Sequence, residues 1–159
     1  MKCISLWQPW ASLMVYGEKQ NETRSWATSH RGVIAIHAAK TWNGQLSELA
    51  LSHPFRAALR DCLPVDEWFE PPPGWLFRVL PFGAILGTVE IVDCVRITDA
   101  NAPTGNERAF GDYTPGRFMW QTRNFFRFPT PIPFRGAQGV FEVPDSILPR
   151  IVPAPEVRG

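Results

Sequence analysis

The run from Gly83 to Ile97 constrains the fold more than any other stretch, because it carries the longest β signal in the chain. Ile85, Val89 and Ile91 alternate with Leu86, Thr88, Glu90 and Val92, the two-residue period of a strand. Gly87 interrupts the run, and a glycine inside a strand marks a bend or bulge that lets a sheet curl. Shorter strands are read at Cys3 to Trp7, Asn21 to Trp26, Val33 to Ala39, Phe118 to Thr122 and Gln138 to Val143. Helical spacing is confined to two places. Trp10, Leu13 and Met14 share one face behind Pro9, with Gly17 as the terminating residue. From Asn43-Gly44 to Asp61 the apolar positions are Leu46, Leu49, Ala50, Ala57 and Leu59, and Pro54 breaks or restarts that helix. Many short strands and few helices predict an α+β fold, a small curled sheet or β-barrel with flanking helices.

Two segments read as irregular. Residues 64–83 are rich in Pro, Trp and Phe, and Pro71-Pro72-Pro73 forbids helix and central strand alike, so an insertion or surface loop is expected. The acids Asp61, Asp66, Glu67 and Glu70 give it a negative, solvated side. Residues 98–117 are polar and turn-forming, the composition of a mobile loop. With 159 residues the chain is long enough for one real core. We read one domain over residues 1–146 and a Pro-rich C-terminal tail over residues 147–159, its last residues loosely held.

Composition excludes several classes. With 45% hydrophobic and 19% charged residues the chain is globular, and a net charge of +1 hides any local patch. Cys3, Cys62 and Cys94 are isolated, which supports neither a disulfide framework nor a zinc ribbon. His30, His37 and His53 do not cluster with them, so no metal and no cofactor are expected. No stretch approaches the ~20 apolar residues of a membrane helix, and no signal-type run opens the chain, so a cytoplasmic location is expected.

The candidate site is GEKQNETRSW, Gly17 to Trp26. It brings Lys19, Glu22 and Arg24 together between apolar runs, with Glu22 and Arg24 on one strand face and Thr23 on the other. From Tyr113 to Phe141 there is no acidic residue, and Arg117, Arg123, Arg127 and Arg135 are interleaved with Phe118, Trp120, Phe125, Phe126, Phe128 and Phe134. Arginines make bidentate contacts to phosphate, and exposed aromatics stack on bases for ~1–3 kcal/mol each. Most of these aromatics are read as core, and the arginines as either phosphate-facing or merely solvated.

The chain resembles the ASCH family, the activating-signal-cointegrator homology domain, a relative of the PUA RNA-binding domains. The resemblance is carried by Ser5-Leu6-Trp7-Gln8-Pro9-Trp10-Ala11, by a GxKxxExR pattern at Gly17, Lys19, Glu22 and Arg24 with Ser25-Trp26, and by Arg31-Gly32 leading to Ile36-His37-Ala38-Ala39-Lys40. Gly87-Thr88-Val89 and Arg135-Gly136-Ala137-Gln138-Gly139 resemble its central and closing strands. The resemblance implies a small PUA-like β-barrel with a cleft along the GxKxxExR segment, and RNA or a nucleotide as partner. Some members are amidohydrolases that cleave N4-acetylcytidine with a lysine, a threonine and a glutamate, and another is described as a ribonuclease. Their lysine corresponds to Lys19 and their arginine to Arg24. Glu22 occupies their threonine position, with Thr23 one residue later.

Three readings follow. In the first, an RNA- or nucleotide-binding domain uses Trp7, Gln8, Trp10, Thr23, Trp26, Arg31, His37, Lys40 and Arg123 for binding. In the second, a hydrolase of a modified nucleoside uses Lys19, Glu22 and Arg24 as catalytic residues. Lys19 would be the general base, or Glu22 would activate water while Lys19 and Arg24 stabilise an oxyanion. The plainer alternative makes Glu22 and Arg24 a structural ion pair with Lys19 on a phosphate. In the third, the Pro71–Pro73 loop or the tail docks a partner as an adaptor.

Overall fold

The alternation read from sequence is realised in one mixed sheet, seen in a computed structural model that describes residues 1–63 and 65–149. Its strands are β1 (Lys2–Leu6), β2 (Asn21–Arg24), β3 (Gly32–Ala38), β4 (Ala84–Arg96), β5 (Phe118–Pro133) and β6 (Val140–Glu142). They lie in the order β2-β5-β4-β3-β1-β6, so β2 and β6 are the edges. β1 and β3 pair in parallel and the remaining pairs are antiparallel. The sheet curls into a half-barrel, and with five α-helices among the described residues the fold is α+β. Among the described residues no helix is long and apolar enough to cross a membrane.

The side-chain period sorts the core. Ile34 and Ile36 of β3 face one side of the sheet with Ile4, Leu6, Val89, Ile91 and Trp120, and α1 (Trp10–Val15) covers them with Met14 and Val15. Ala35 faces the other side, into a smaller cluster with Cys3, Ile85, Phe128 and Val143. A third, helical cluster joins Leu13 of α1 to α2 (Gly44–Leu51) and α3 (Phe55–Cys62). Asn43 caps α2 by accepting from the Leu46 amide at 3.0 Å, and Pro54 separates the two helices as its ring requires.

Two expectations are corrected. Residues 64–83 are not a plain surface loop. They form a 3-10 turn at Asp66–Trp68 and α4 (Trp75–Val79), and Trp68, Trp75, Leu76 and Leu80 are buried. The prolines punctuate the segment as read, but the aromatics between them supply core, with the Trp68 and Trp75 rings edge-on at 4.8 Å. Residues 98–117 are likewise not a structureless loop. They contain α5 (Gly105–Ala109), and the Glu107 carboxylate accepts from the amides of Gln20 and Asn21 at 3.0 and 2.9 Å. Of the expected tail, residues 150–159 lie outside the described residues, while Leu148 packs on the cluster around Phe128.

β5 runs unbroken where the sequence suggested a short strand and a proline-bounded extension. Gly87 pairs with Arg127 and Ile85 with Ile132, so Phe128 to Pro131 bulge out of register with β4. Pro129 and Pro131 fall in that bulge, where no ladder bond needs their missing N–H. The strands are squeezed at this point, and a Cβ on Gly87 would lie 2.1 Å from the Phe126 carbonyl oxygen. Gly87→Ala should therefore destabilise the fold by about 1–3 kcal/mol or more, read as a lower urea midpoint.

Candidate functional site

The turn after α1 delivers Lys19 inward. The Gly17 amide bonds back to the Met14 carbonyl at 3.0 Å and the Lys19 amide to the Leu13 carbonyl at 3.1 Å, so the chain folds under the helix end. Lys19 is 1% exposed. Its ammonium donates to the Asn21 carbonyl and lies 3.6 Å from Glu22 Oε2. Arg24 Nε donates to Glu22 Oε1 at 2.8 Å, and Arg24 Nη2 donates to the Ser5 carbonyl of β1 at 2.9 Å. The sequence reading put these residues together and the fold does so, as one hydrogen-bonded chain from the end of α1 through β2 to β1. This is the geometry of a paired cation rather than an isolated amine.

A cleft with two compartments opens on this network, sharing Ser5, Trp7 and Arg24 in their walls. The inner compartment, about 570 Å³, takes Trp10, Lys19, Glu22, Thr23, Asp112 and Arg117. Its charges are mutually engaged. Arg117 Nε lies 3.3 Å from Asp112 Oδ2, and the Thr23 hydroxyl accepts from the Asp112 amide at 3.1 Å. The Thr114 hydroxyl and amide, with Arg117, hold the Asp112 carboxyl below its ordinary range. The outer compartment, about 1040 Å³, is lined by Arg24, Lys40 and Arg135, by Trp7 and Trp26, and by no carboxylate. Among the described residues neither Lys40 nor Arg135 has an acidic partner.

Trp7 is 52% and Trp26 37% exposed, so each offers a ring face to the cleft. Trp26 is held in place, its ring edge-on to buried Trp120 at 4.7 Å while Trp120 Nε1 donates to its carbonyl at 3.3 Å. His37 forms the floor. Its Nε2 donates to the Phe134 carbonyl at 2.8 Å, and its Nδ1 accepts from the Ser5 hydroxyl at 2.9 Å. Burial lowers the His37 pKa, outweighing the pull of the Phe134 carbonyl, and that carbonyl, which can only accept, keeps the proton on Nε2. Gly136 closes over both, since a Cβ there would sit 2.5 Å from His37 Cε1 and 2.7 Å from Ser5 Oγ.

Three residues expected in binding lie elsewhere. Gln8 is fully buried, donating to the Ser12 hydroxyl and the Pro81 carbonyl at 2.8 and 2.9 Å. Arg31 pairs with Asp93 at 3.2 Å, and Arg123 with both oxygens of Glu90 at 3.0 and 3.1 Å; none of the three lines either compartment. The sequence reading did not place the wall formed by Pro133 to Gly139 in the site; Arg135, read there as either phosphate-facing or solvated, lines it. It also missed Glu107. Burial pushes the Cys3 and Cys62 thiols up to about 12, which leaves them inert. Among the described residues no group of three His, Cys, Asp or Glu is placed to hold a metal.

With the geometry in view, the family model for the ASCH domain matches residues 4–126. The chain belongs to the ASCH domain family. Activating signal cointegrator 1 from Homo sapiens is 37% identical over 95 residues, and the protein of that name from Mus musculus 35% over the same length. That match takes in 58% of this ASCH chain but 14% of either relative, so the chain spans a small part of their length. The crystal structure of ASCH from Zymomonas mobilis superposes with a TM-score of 0.51 at 14% identity, covering 92% of this chain and 89% of that one. A variant of it matches equally at 16% identity, covering 92% and 91%. At such identity the likeness shows the fold alone.

The floor residue of this ASCH domain gives a pH prediction. The folded state holds His37 below its ordinary value of 6.5, so the unfolded chain binds the extra proton first. Stability should rise with pH through the window between the depressed value and 6.5, and be lost on acidification through it. Melting temperatures between about pH 5 and 8 check this, and His37→Gln should flatten the slope.

Proposed function

We propose that this ASCH domain binds single-stranded RNA in its cleft, with phosphates in the outer compartment and bases on Trp7 and Trp26. The observation that carries the reading is the charge of that compartment, where Arg24, Lys40 and Arg135 converge without a carboxylate. Guanidinium and ammonium groups held beside a concave wall attract phosphate, and a ring already packed on one side loses little entropy when a base stacks on the other. Arg24 spends Nε and Nη2 on Glu22 and Ser5, which leaves Nη1 as the guanidinium nitrogen available to a phosphate. The implied RNA-binding character of the family agrees with this division. The larger relatives match only in part, so nothing of their whole activity is carried over.

Hydrolysis of N4-acetylcytidine would use the inner compartment, and its geometry supports that reading less. Both Glu22 oxygens face cations, and the Thr23 hydroxyl already accepts a backbone amide. A ribonuclease reading would need the same groups. The adaptor reading rests on the proline content of Pro71–Pro73 alone.

Lys40→Glu with Arg135→Glu should weaken binding of a short single-stranded RNA at least about tenfold at moderate salt. The slope of log affinity against log salt should fall by about 1.4, two phosphate contacts on a single strand. Arg123→Glu, outside the cleft, should change neither. Unchanged affinity in the double variant at low salt would contradict the reading.

A further inference from the structure

A separate pocket of about 280 Å³ shares no lining residue with the cleft. Its floor is apolar and closed: Val15 of α1, Leu80, Leu86 of β4 and Phe128 of β5 are each between 1% and 3% exposed. Its rim carries two guanidinium groups, Arg78 of α4 and Arg127 of β5. No carboxylate lines the pocket, and neither arginine has an acidic partner among the described residues. Arg127 is held by its place over the Tyr16 ring, 4.9 Å from the centroid. Burial raises the pKa of the Tyr16 hydroxyl, so it stays protonated at the same rim.

We propose that this pocket is a second ligand site, for a small carboxylic acid with an apolar body. The body covers Leu80, Leu86 and Phe128, and the carboxylate lies between Arg78 and Arg127. A planar guanidinium matches a carboxylate bidentately, and two such groups facing an apolar floor suit a molecule with one charged end. The volume limits its size, being below the ~300–1,000 Å³ of pockets that hold drug-sized ligands. A bare inorganic anion would leave the apolar floor uncovered, and a neutral hydrocarbon would leave the rim unmatched. This proposal is independent of RNA binding, because the two sites have no residue in common.

The test is a titration of the full chain with 3-phenylpropionate, followed through the methyl resonances of Val15 and Leu86. The amide 3-phenylpropionamide and inorganic phosphate serve as comparators. Saturable binding of the acid is expected, at least about tenfold tighter than either comparator. Arg78→Gln should lose about the same factor while keeping the wild-type melting temperature and RNA affinity, because Arg78 is exposed and outside the cleft. Arg127→Gln should act in the same direction but also removes the stack on Tyr16, so Arg78→Gln decides. No saturation, equal binding of the amide or of phosphate, or wild-type affinity in Arg78→Gln would each overturn the proposal.

Discussion

The buried ammonium of Lys19 is the constraint around which the cleft is arranged. A cation at 1% exposure is costly to remove from water unless it is paired and hydrogen-bonded, and here both conditions are met within three residues of chain. Glu22 faces Lys19 with one oxygen and Arg24 with the other, and Arg24 reaches across to the Ser5 carbonyl. The trio thus ties the exit of α1, the edge strand β2 and the first strand β1 into one unit. Glu107 extends it by gathering the amides of Gln20 and Asn21, and the Tyr113 hydroxyl donates to the same carboxylate at 3.0 Å. The 98–117 segment is anchored to the site by these bonds.

The two compartments divide the electrostatics. Inside, each cation faces a carboxylate, Lys19 and Arg24 sharing Glu22 and Arg117 meeting Asp112, so none is left unpaired. Outside, the cations converge without acids, and a wall from β5 to β6 presents Arg135 on a glycine-rich turn that can lie flat against His37 and Ser5. A net charge of +1 for the chain conceals this local excess, which is why composition said nothing of partners. Arg24 lines both compartments, its Nε and Nη2 held by Glu22 and Ser5.

What was legible in the sequence was local. The bend at Gly87, the break at Pro54 and the face shared by Glu22 and Arg24 all follow from spacing within a few residues, and the fold contains each of them. What was not legible depends on contacts between distant segments. Arg31 and Arg123 looked available for phosphate because Asp93 and Glu90, their partners, are tens of residues away in the chain. Glu107 looked like one acid in a polar loop until the fold brought it to Gln20 and Asn21. Trp68 and Trp75 lay among prolines that argue for surface, and only packing against each other and α3 makes them core. Arg135 was visible as a charge, but its place in the cleft required β6 to pair with β1.

The brace is tested most directly by a double-mutant cycle in denaturant, with Lys19→Met, Glu22→Gln and the two combined. If Lys19 is held as a buried partner of Glu22, the single Glu22→Gln change strands an unpaired charge and costs on the order of 3–5 kcal/mol. The double variant should then lose less than the sum of the singles, by about 1–3 kcal/mol. Additive losses, or a Glu22→Gln protein as stable as wild type, would contradict the pairing on which the placement of Arg24 and the cleft depends.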